Sequence, residues 1–183
     1  MSPFAKNTIM TELELERTFL VRELPEGFAD SPSKEIEDRY LPANSSHARL
    51  RLRRSGERLE MTKKTPLREG DASGQAEETI RLDRDEYAAL AALPARGVRK
   101  VRRYVPCGGM TAEIDVFQDA LAGLVLADFE FPDEASRDAF VPPAWCLDDV
   151  TQEPFVAGGV LCGKSYADLA PDLARYGYAP VAA

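Results

Sequence analysis

Cysteine is scarce in this chain. Cys107, Cys146 and Cys162 are three in 183 residues, far apart and without a C-x-x-C pair. They supply neither a disulfide framework nor a zinc site, and the expected state is reduced thiols in a cytoplasmic protein. Histidine occurs once, at His47. That removes any histidine-based metal cluster, and no Cys-His or Ser-His-Asp arrangement can be argued. A basic excess is also lacking. The formal net charge is −8, so nucleic acid is not an expected partner. No apolar run approaches the length of a bilayer-spanning helix, and the opening MSPFAKNTIM has no sustained apolar stretch. A membrane is therefore not an expected partner either, and no signal peptide is read.

The composition nevertheless supports a core. Hydrophobic residues make up 44% and charged residues 30% of the chain, a globular balance with slightly raised charge. The length fits one domain, read as a loose leader over 1–11 and a single unit over 12–183 that ends in a helical segment.

The informative feature is where the charges stand. Glu14 and Glu16 flank Leu15; Arg49, Arg51 and Arg53 flank Leu50 and Leu52; Lys100 and Arg102 flank Val101; Glu113 and Asp115 flank Ile114; Asp128 and Glu130 flank Phe129. Residues two apart share one face of a strand, about 6–7 Å from each other. Each segment therefore has an apolar face and a face of uniform sign. Ordinary wet faces mix signs and include Ser, Thr and Gln.

Strands are expected at 12–21, 36–41, 47–54, 58–64, 76–82, 98–105, 111–117 and 124–131, with a hairpin around Ser55-Gly56-Glu57. Thr65 to Gln75 is polar and contains glycine, and reads as a mobile loop. Asp83 with Glu86 three residues on is a capping box for a helix over 84–93, which Pro94 stops. A short helix follows Pro132, and a last helical run covers about 160–176, kinked or divided by Pro171. Eight strand candidates with few helices give an α+β fold. An eight-stranded antiparallel β-barrel, closed so that no edge is left, suits the pattern: charged faces inside a tunnel, helices over the apolar outer faces.

Acidic and basic strands around one lumen suit a metal-bound polyanion. Hard cations such as Mg²⁺ or Mn²⁺ take oxygen ligands and are shared between carboxylates and phosphates. Glu14, Glu16, Glu77, Glu113, Asp115, Asp128 and Glu130 form the acidic set. Arg49, Arg51, Arg53, Lys63, Lys100 and Arg102 form the basic set, suited to gripping phosphate. Gly158 to Ser165 spells G-x-x-x-x-G-K-S, but a phosphate-binding loop needs a strand before it and a parallel sheet around it. Too little chain follows Ser165 to provide one. His47 reads as a strand start, and Trp145, after Pro142 and Pro143, as a packing anchor.

Glu14-Leu15-Glu16-Arg17-Thr18-Phe19-Leu20-Val21 resembles the E-x-E-x-K strand of the CYTH domain, the triphosphate tunnel metalloenzyme superfamily. The likeness continues in order through Tyr40-Leu41, Arg49-Leu50-Arg51, Thr62-Lys63, Glu77, Lys100-Val101-Arg102, Glu113 to Phe117, Asp128 to Phe131, Phe140 to Pro143, Trp145 and Val150-Thr151. The resemblance implies an eight-stranded tunnel that acts on triphosphates with Mg²⁺ or Mn²⁺. It implies Glu14, Glu16, Asp128 and Glu130 as metal ligands. Glu77, Glu113 and Asp115 would be supporting or water-orienting catalytic carboxylates. Arg49, Arg51, Lys63, Lys100 and Arg102 would grip phosphate. Thr18 stands in place of the motif lysine, Thr79 in place of a second glutamate, and Phe155 to Gly159 is apolar where relatives carry basic and Asn residues.

The expected activity is divalent-metal-dependent hydrolysis of an inorganic, nucleoside or organic triphosphate. One alternative is a lyase or cyclase that releases pyrophosphate. Another is a degenerate tunnel that binds polyphosphate or nucleotide without turnover. The expected partner is a small phosphorylated molecule, and a homodimer is compatible with the sequence.

Overall fold

The computed structural model describes residues 10–182. The expected leader lies largely outside these residues, and β1 already begins at Met10. The strands are β1 (Met10–Val21), β2 (Ser33–Leu41), β3 (Leu50–Ser55), β4 (Arg58–Arg68), β5 (Asp71–Arg81), β6 (Arg96–Cys107), β7 (Met110–Phe117), β8 (Val125–Glu130) and β9 (Cys146–Asp149). The helices are α1 (Arg84–Ala91), α2 (Glu134–Ala139), α3 (Gly158–Leu161) and α4 (Tyr166–Ala174).

Strand order is β5-β4-β3-β2-β6-β7-β8-β1-β9, and β5 also pairs with β1. That last ladder, Met10↔Thr79 to Leu15↔Gly74, closes β1 to β8 into an antiparallel barrel. β9 was not expected. It pairs with β1 over Phe19–Val21, beyond the stretch that β5 covers.

The segment read as a mobile loop is instead a continuation of two strands. β4 runs through Arg68 and β5 starts at Asp71. Gly70, at φ 79°, makes the tight turn between them. The ladder tolerates Pro66 by a register shift before Arg68, as a residue without an N–H requires. Asp71 braces the start of β5, accepting hydrogen bonds from the Ser73 amide (3.0 Å) and hydroxyl (2.6 Å) and from Gln152 Nε2 (3.1 Å).

The capping box on α1 forms as read: the Asp83 side chain accepts from Asp85 and Glu86 amides, and the Glu86 carboxylate accepts from the Asp83 amide. The last helical run divides at Gly163 (φ 80°), not at Pro171, which lies inside α4. A positive φ ends α3 more decisively than one missing N–H breaks α4. Ser165 then caps α4 through a box with Asp168. The G-x-x-x-x-G-K-S stretch is thus a short helix and a cap, preceded by a 3₁₀ turn (Pro154–Val156) and no strand.

Two apolar clusters hold the barrel. On the outer wall, Leu15, Phe19, Val105, Ile114, Ala127 and Phe129 are buried beneath Phe28, Phe140 and Trp145. Phe129 lies 4.6 Å from Phe140 and 6.0 Å from Trp145 between ring centroids, so Trp145 anchors as expected. The second cluster closes one end: Leu20, Tyr40, Val98, Phe117 and Leu126 meet Val150, Phe155, Leu161, Leu169 and Leu173 from the C-terminal segment. Among the described residues, no helix is long and apolar enough to cross a membrane.

Candidate active site

Alternation along the strands decides which side chains face the barrel interior. On β1, Leu15 and Phe19 enter the outer core, so Glu14, Glu16 and Thr18 face the other way. The ladders then carry this face round the barrel. Glu16 stands opposite Glu130 and Thr18 opposite Asp128; Glu113 is opposite Asp128, Arg102 opposite Asp115, and Lys64 opposite Glu77.

Two ion-paired groups result. In the first, the Lys64 ammonium bonds Glu14 and lies 3.7 Å from Glu16 and 3.6 Å from Glu77. Glu77 also accepts the Thr79 hydroxyl at 2.7 Å, and Thr79 is 2.9 Å from the Thr62 hydroxyl. In the second, Arg102 forks onto Asp115 at 2.7 and 2.6 Å, bonds Glu113, and reaches Asp128 at 3.1 Å. Lys100 also bonds Asp115. Between strands β2 and β3, Arg53 holds Asp38 with two bonds of 2.7 Å.

Arg51 differs from these cations. Among the described residues its ion-pair partner is Glu77, 3.7 Å away, and its buried Nε has no hydrogen-bond partner. Its guanidinium has donors to spare.

The electrostatics follow from burial and the surplus of acid. Among the described residues, and apart from the Arg58–Glu60 pair, seven carboxylates (Glu14, Glu16, Asp38, Glu77, Glu113, Asp115, Asp128) stand with five cations (Arg51, Arg53, Lys64, Lys100, Arg102), and the exposed Glu130 and Lys34 lie at the rim of the same face. Burial, with Glu16 and Glu77 nearby, pushes Glu14 up to about 7 despite Lys64. Glu16 is raised in the same direction by burial, Asp128 and Glu130. Asp115 is equally buried, yet Arg102 and Lys100 outweigh that burial and hold it below the ordinary carboxylate range.

Placement of the expected residues is uneven. Glu14, Glu16, Glu77, Glu113, Asp115, Asp128, Arg51, Arg53, Lys100 and Arg102 come together. Glu130 is exposed and opposite Glu16. Arg49 precedes β3 and is exposed. Lys63 is corrected by the register: it is exposed, opposite Leu50 and Glu78, on the outer face. Lys64 takes the interior place. The signal was available, because a two-residue Gly56-Glu57 turn sets Arg51 against Thr62, and Lys64 lies two residues beyond Thr62. A slip of one residue exchanges the faces. Asp38 was also missed, since its neighbours on that face, Ile36 and Tyr40, are not charged.

The comparisons with known proteins bear on this geometry. A model of the CYTH domain matches residues 12–144. The chain belongs to the CYTH domain family. It is 34% identical over 144 residues to an inorganic triphosphatase of Nitrosomonas europaea, a match covering 76% of this chain and 90% of that protein. A crystal structure of an inorganic triphosphatase, 29% identical, superposes with a TM-score of 0.60 over 85% of this chain and 97% of the other. A protein of Pyrococcus horikoshii, at 16% identity, shares the fold with a TM-score of 0.52 over 80% of this chain and 98% of its own.

The CYTH family implies a divalent cation, and the donors here suit one in kind. They are carboxylate oxygens without Cys or His, the set that hard cations prefer. Among the described residues, no three acids converge as a ready-made cage; Lys64 and Arg102 stand among them instead.

Proposed function

We propose that this CYTH chain hydrolyses a triphosphate inside its barrel with Mg²⁺ or Mn²⁺. The observation that carries the reading is Arg51, a half-buried side chain whose buried Nε is unpartnered among the described residues, set among carboxylates that outnumber their cations there. An interior with surplus negative charge repels a bare polyphosphate. It accepts one that arrives with a divalent cation, which would neutralise phosphate oxygens and be held by Glu14, Glu16 and Asp128, with Glu130 at the rim.

The chain's own residues divide the work. Arg51 is free to fork onto phosphate oxygens, the geometry a guanidinium matches best. Lys64, Lys100 and Arg102 counter the charge that spreads over the transferred phosphoryl group, where positioning and electrostatics dominate catalysis. Asp115, held ionised by Arg102 and Lys100, is a poor proton acceptor and positions those two cations. Glu113 and Glu77 orient the attacking water. Attack at the terminal phosphorus breaks the phosphoanhydride bond, releases orthophosphate and leaves pyrophosphate from the inorganic substrate.

The test is a panel of inorganic triphosphate, nucleoside triphosphates and thiamine triphosphate, each with Mg²⁺ and Mn²⁺, with products identified. Orthophosphate from at least one is expected. Pyrophosphate cut from a nucleotide would point to the cyclase or lyase reading, and calorimetric binding without turnover to a degenerate tunnel. No metal-dependent phosphate release from any of them contradicts the proposal.

A further inference from the structure

Lys64 is placed unlike the other interior cations. Arg53 is fixed by a two-point bond to Asp38, and Arg102 is forked onto Asp115. Lys64 instead touches three acids from two strands: it bonds Glu14 and lies 3.7 Å from Glu16 and 3.6 Å from Glu77. Its hold is a point charge on a long flexible stem, with no planar fork to break. Such a side chain can change partner without moving the backbone. Arg51, 3.7 Å from the same Glu77, marks the direction from which phosphate would be gripped.

We infer that Lys64 is an internal stand-in cation. In the empty barrel its ammonium occupies the Glu14 and Glu16 carboxylates; when a divalent cation takes those oxygens, the ammonium passes to a phosphate oxygen of the substrate. The inference rests on the proposed function, because it takes Glu14 and Glu16 as the cation's ligands.

Two consequences follow. Lys64 competes with the divalent cation when no substrate is present, since both seek the same oxygens. It cooperates with that cation when substrate is present, because the phosphate draws the ammonium away. Cation and triphosphate must then favour each other's binding reciprocally. A lysine serving only as a fixed phosphate ligand would oppose the metal by charge alone and would not leave Glu14 when the metal binds, and one serving only as a structural pair would not affect phosphate.

Calorimetric titration with Mn²⁺ alone, on the wild type, Lys64→Met and Lys64→Gln, separates these roles. Lys63→Met makes the same charge change on the outer face and serves as the control. Both Lys64 variants are expected to bind Mn²⁺ about tenfold or more tightly than wild type, a change of about 1.4 kcal/mol. Their affinity for a non-hydrolysable imidotriphosphate with Mn²⁺ should fall by a similar factor or more. Lys63→Met should bind both as wild type does. Unchanged or weaker Mn²⁺ binding in both Lys64 variants overturns the inference.

A crystal of the wild-type protein soaked in Mn²⁺ gives an answer independent of variant folding. Mn²⁺ on Glu14 and Glu16 with Lys64 displaced supports the exchange. Lys64 still on Glu14 with the metal elsewhere overturns it. Phosphate release by the wild type keeps the two claims apart. Release with unaltered Mn²⁺ affinity in the variants removes the exchange alone; tighter Mn²⁺ binding without release removes the hydrolase reading alone. No Mn²⁺ binding by any of the proteins overturns the exchange, whatever the release assay shows.

Discussion

Thr18 and Asp128 face each other across the β1–β8 ladder, and the threonine hydroxyl donates to the aspartate Oδ1 at 2.8 Å. The other oxygen of Asp128 accepts from Arg102 at 3.1 Å. Thr18 is itself fixed by its backbone, whose amide donates to the Thr151 hydroxyl at 3.0 Å while its carbonyl accepts from the Val150 amide at 2.9 Å. The residue that departs from the E-x-E-x-K pattern therefore still serves the interior, by orienting a carboxylate.

Removing that donor without changing shape should loosen Asp128. A hydrogen bond to a charged group contributes about 1.5–3 kcal/mol. Thr18→Val is accordingly expected to lower kcat/KM for the triphosphate by about tenfold or more, with Thr18→Ser close to wild type. Thr18→Lys should tighten triphosphate binding by restoring a cation on this face. Steady-state kinetics on the three variants check this, and Thr18→Val equal to wild type would contradict it.

Arg51 and Arg53 are neighbours in pattern but should respond oppositely. Among the described residues, no hydrogen bond engages the Arg51 Nε. Arg51→Met should therefore leave thermal stability nearly unchanged and raise KM strongly. Arg53→Met strands the buried Asp38 and should destabilise the fold by about 3 kcal/mol. Denaturant melts alongside KM measurements distinguish the two.

Asp38 predicts an acid-side stability loss. Burial raises its pKa, but Arg53, its hydrogen bonds, and the Arg51 and Lys100 charges outweigh that and bring it to about 2 from 3.8. An acid with a depressed folded-state pKa contributes its full stabilisation above the unfolded value and loses it as pH falls through the folded one. The stake is about 2 kcal/mol, present above about pH 4 and gone below about pH 2. The stability gap between wild type and Asp38→Asn, measured by urea unfolding, should shrink by that amount across this window. A gap independent of pH would show that Asp38 is not held ionised by Arg53.

The closed end should be intolerant of volume. A Cβ on Gly159 would collide with the Ala48 carbonyl oxygen, and one on Gly158 with the Tyr40 hydroxyl. The first obstacle is backbone and cannot swing aside. Gly159→Ala is expected to cost about 1–3 kcal/mol, seen as a lowered Tm. An unchanged Tm would mean that the C-terminal segment sits less tightly on β3 and its approach than the structure has it.

Much of this was legible because alternation with uniform charge sign is rare on a surface strand. Glu14-Leu15-Glu16 and Glu113-Ile114-Asp115 gave both the strands and the face that would be charged. Lys64 was hidden by an adjacent lysine of the same charge, so only hairpin register could choose between them. The strands on either side of Gly70 were obscured by polar, glycine-containing residues whose strand character comes from barrel neighbours, not from propensity. β9 is four residues long and exists only because β5 leaves the edge of β1 free beyond Leu15. No local pattern announces such a strand.

The most direct test of the account is orthophosphate release from inorganic triphosphate by the purified protein, before and after chelation and then after Mn²⁺ or Mg²⁺ is restored. The account predicts one orthophosphate per turnover, lost in chelator and recovered with the cation. Release that continues undiminished in chelator, or none with either cation from this or any other triphosphate of the panel, would contradict it.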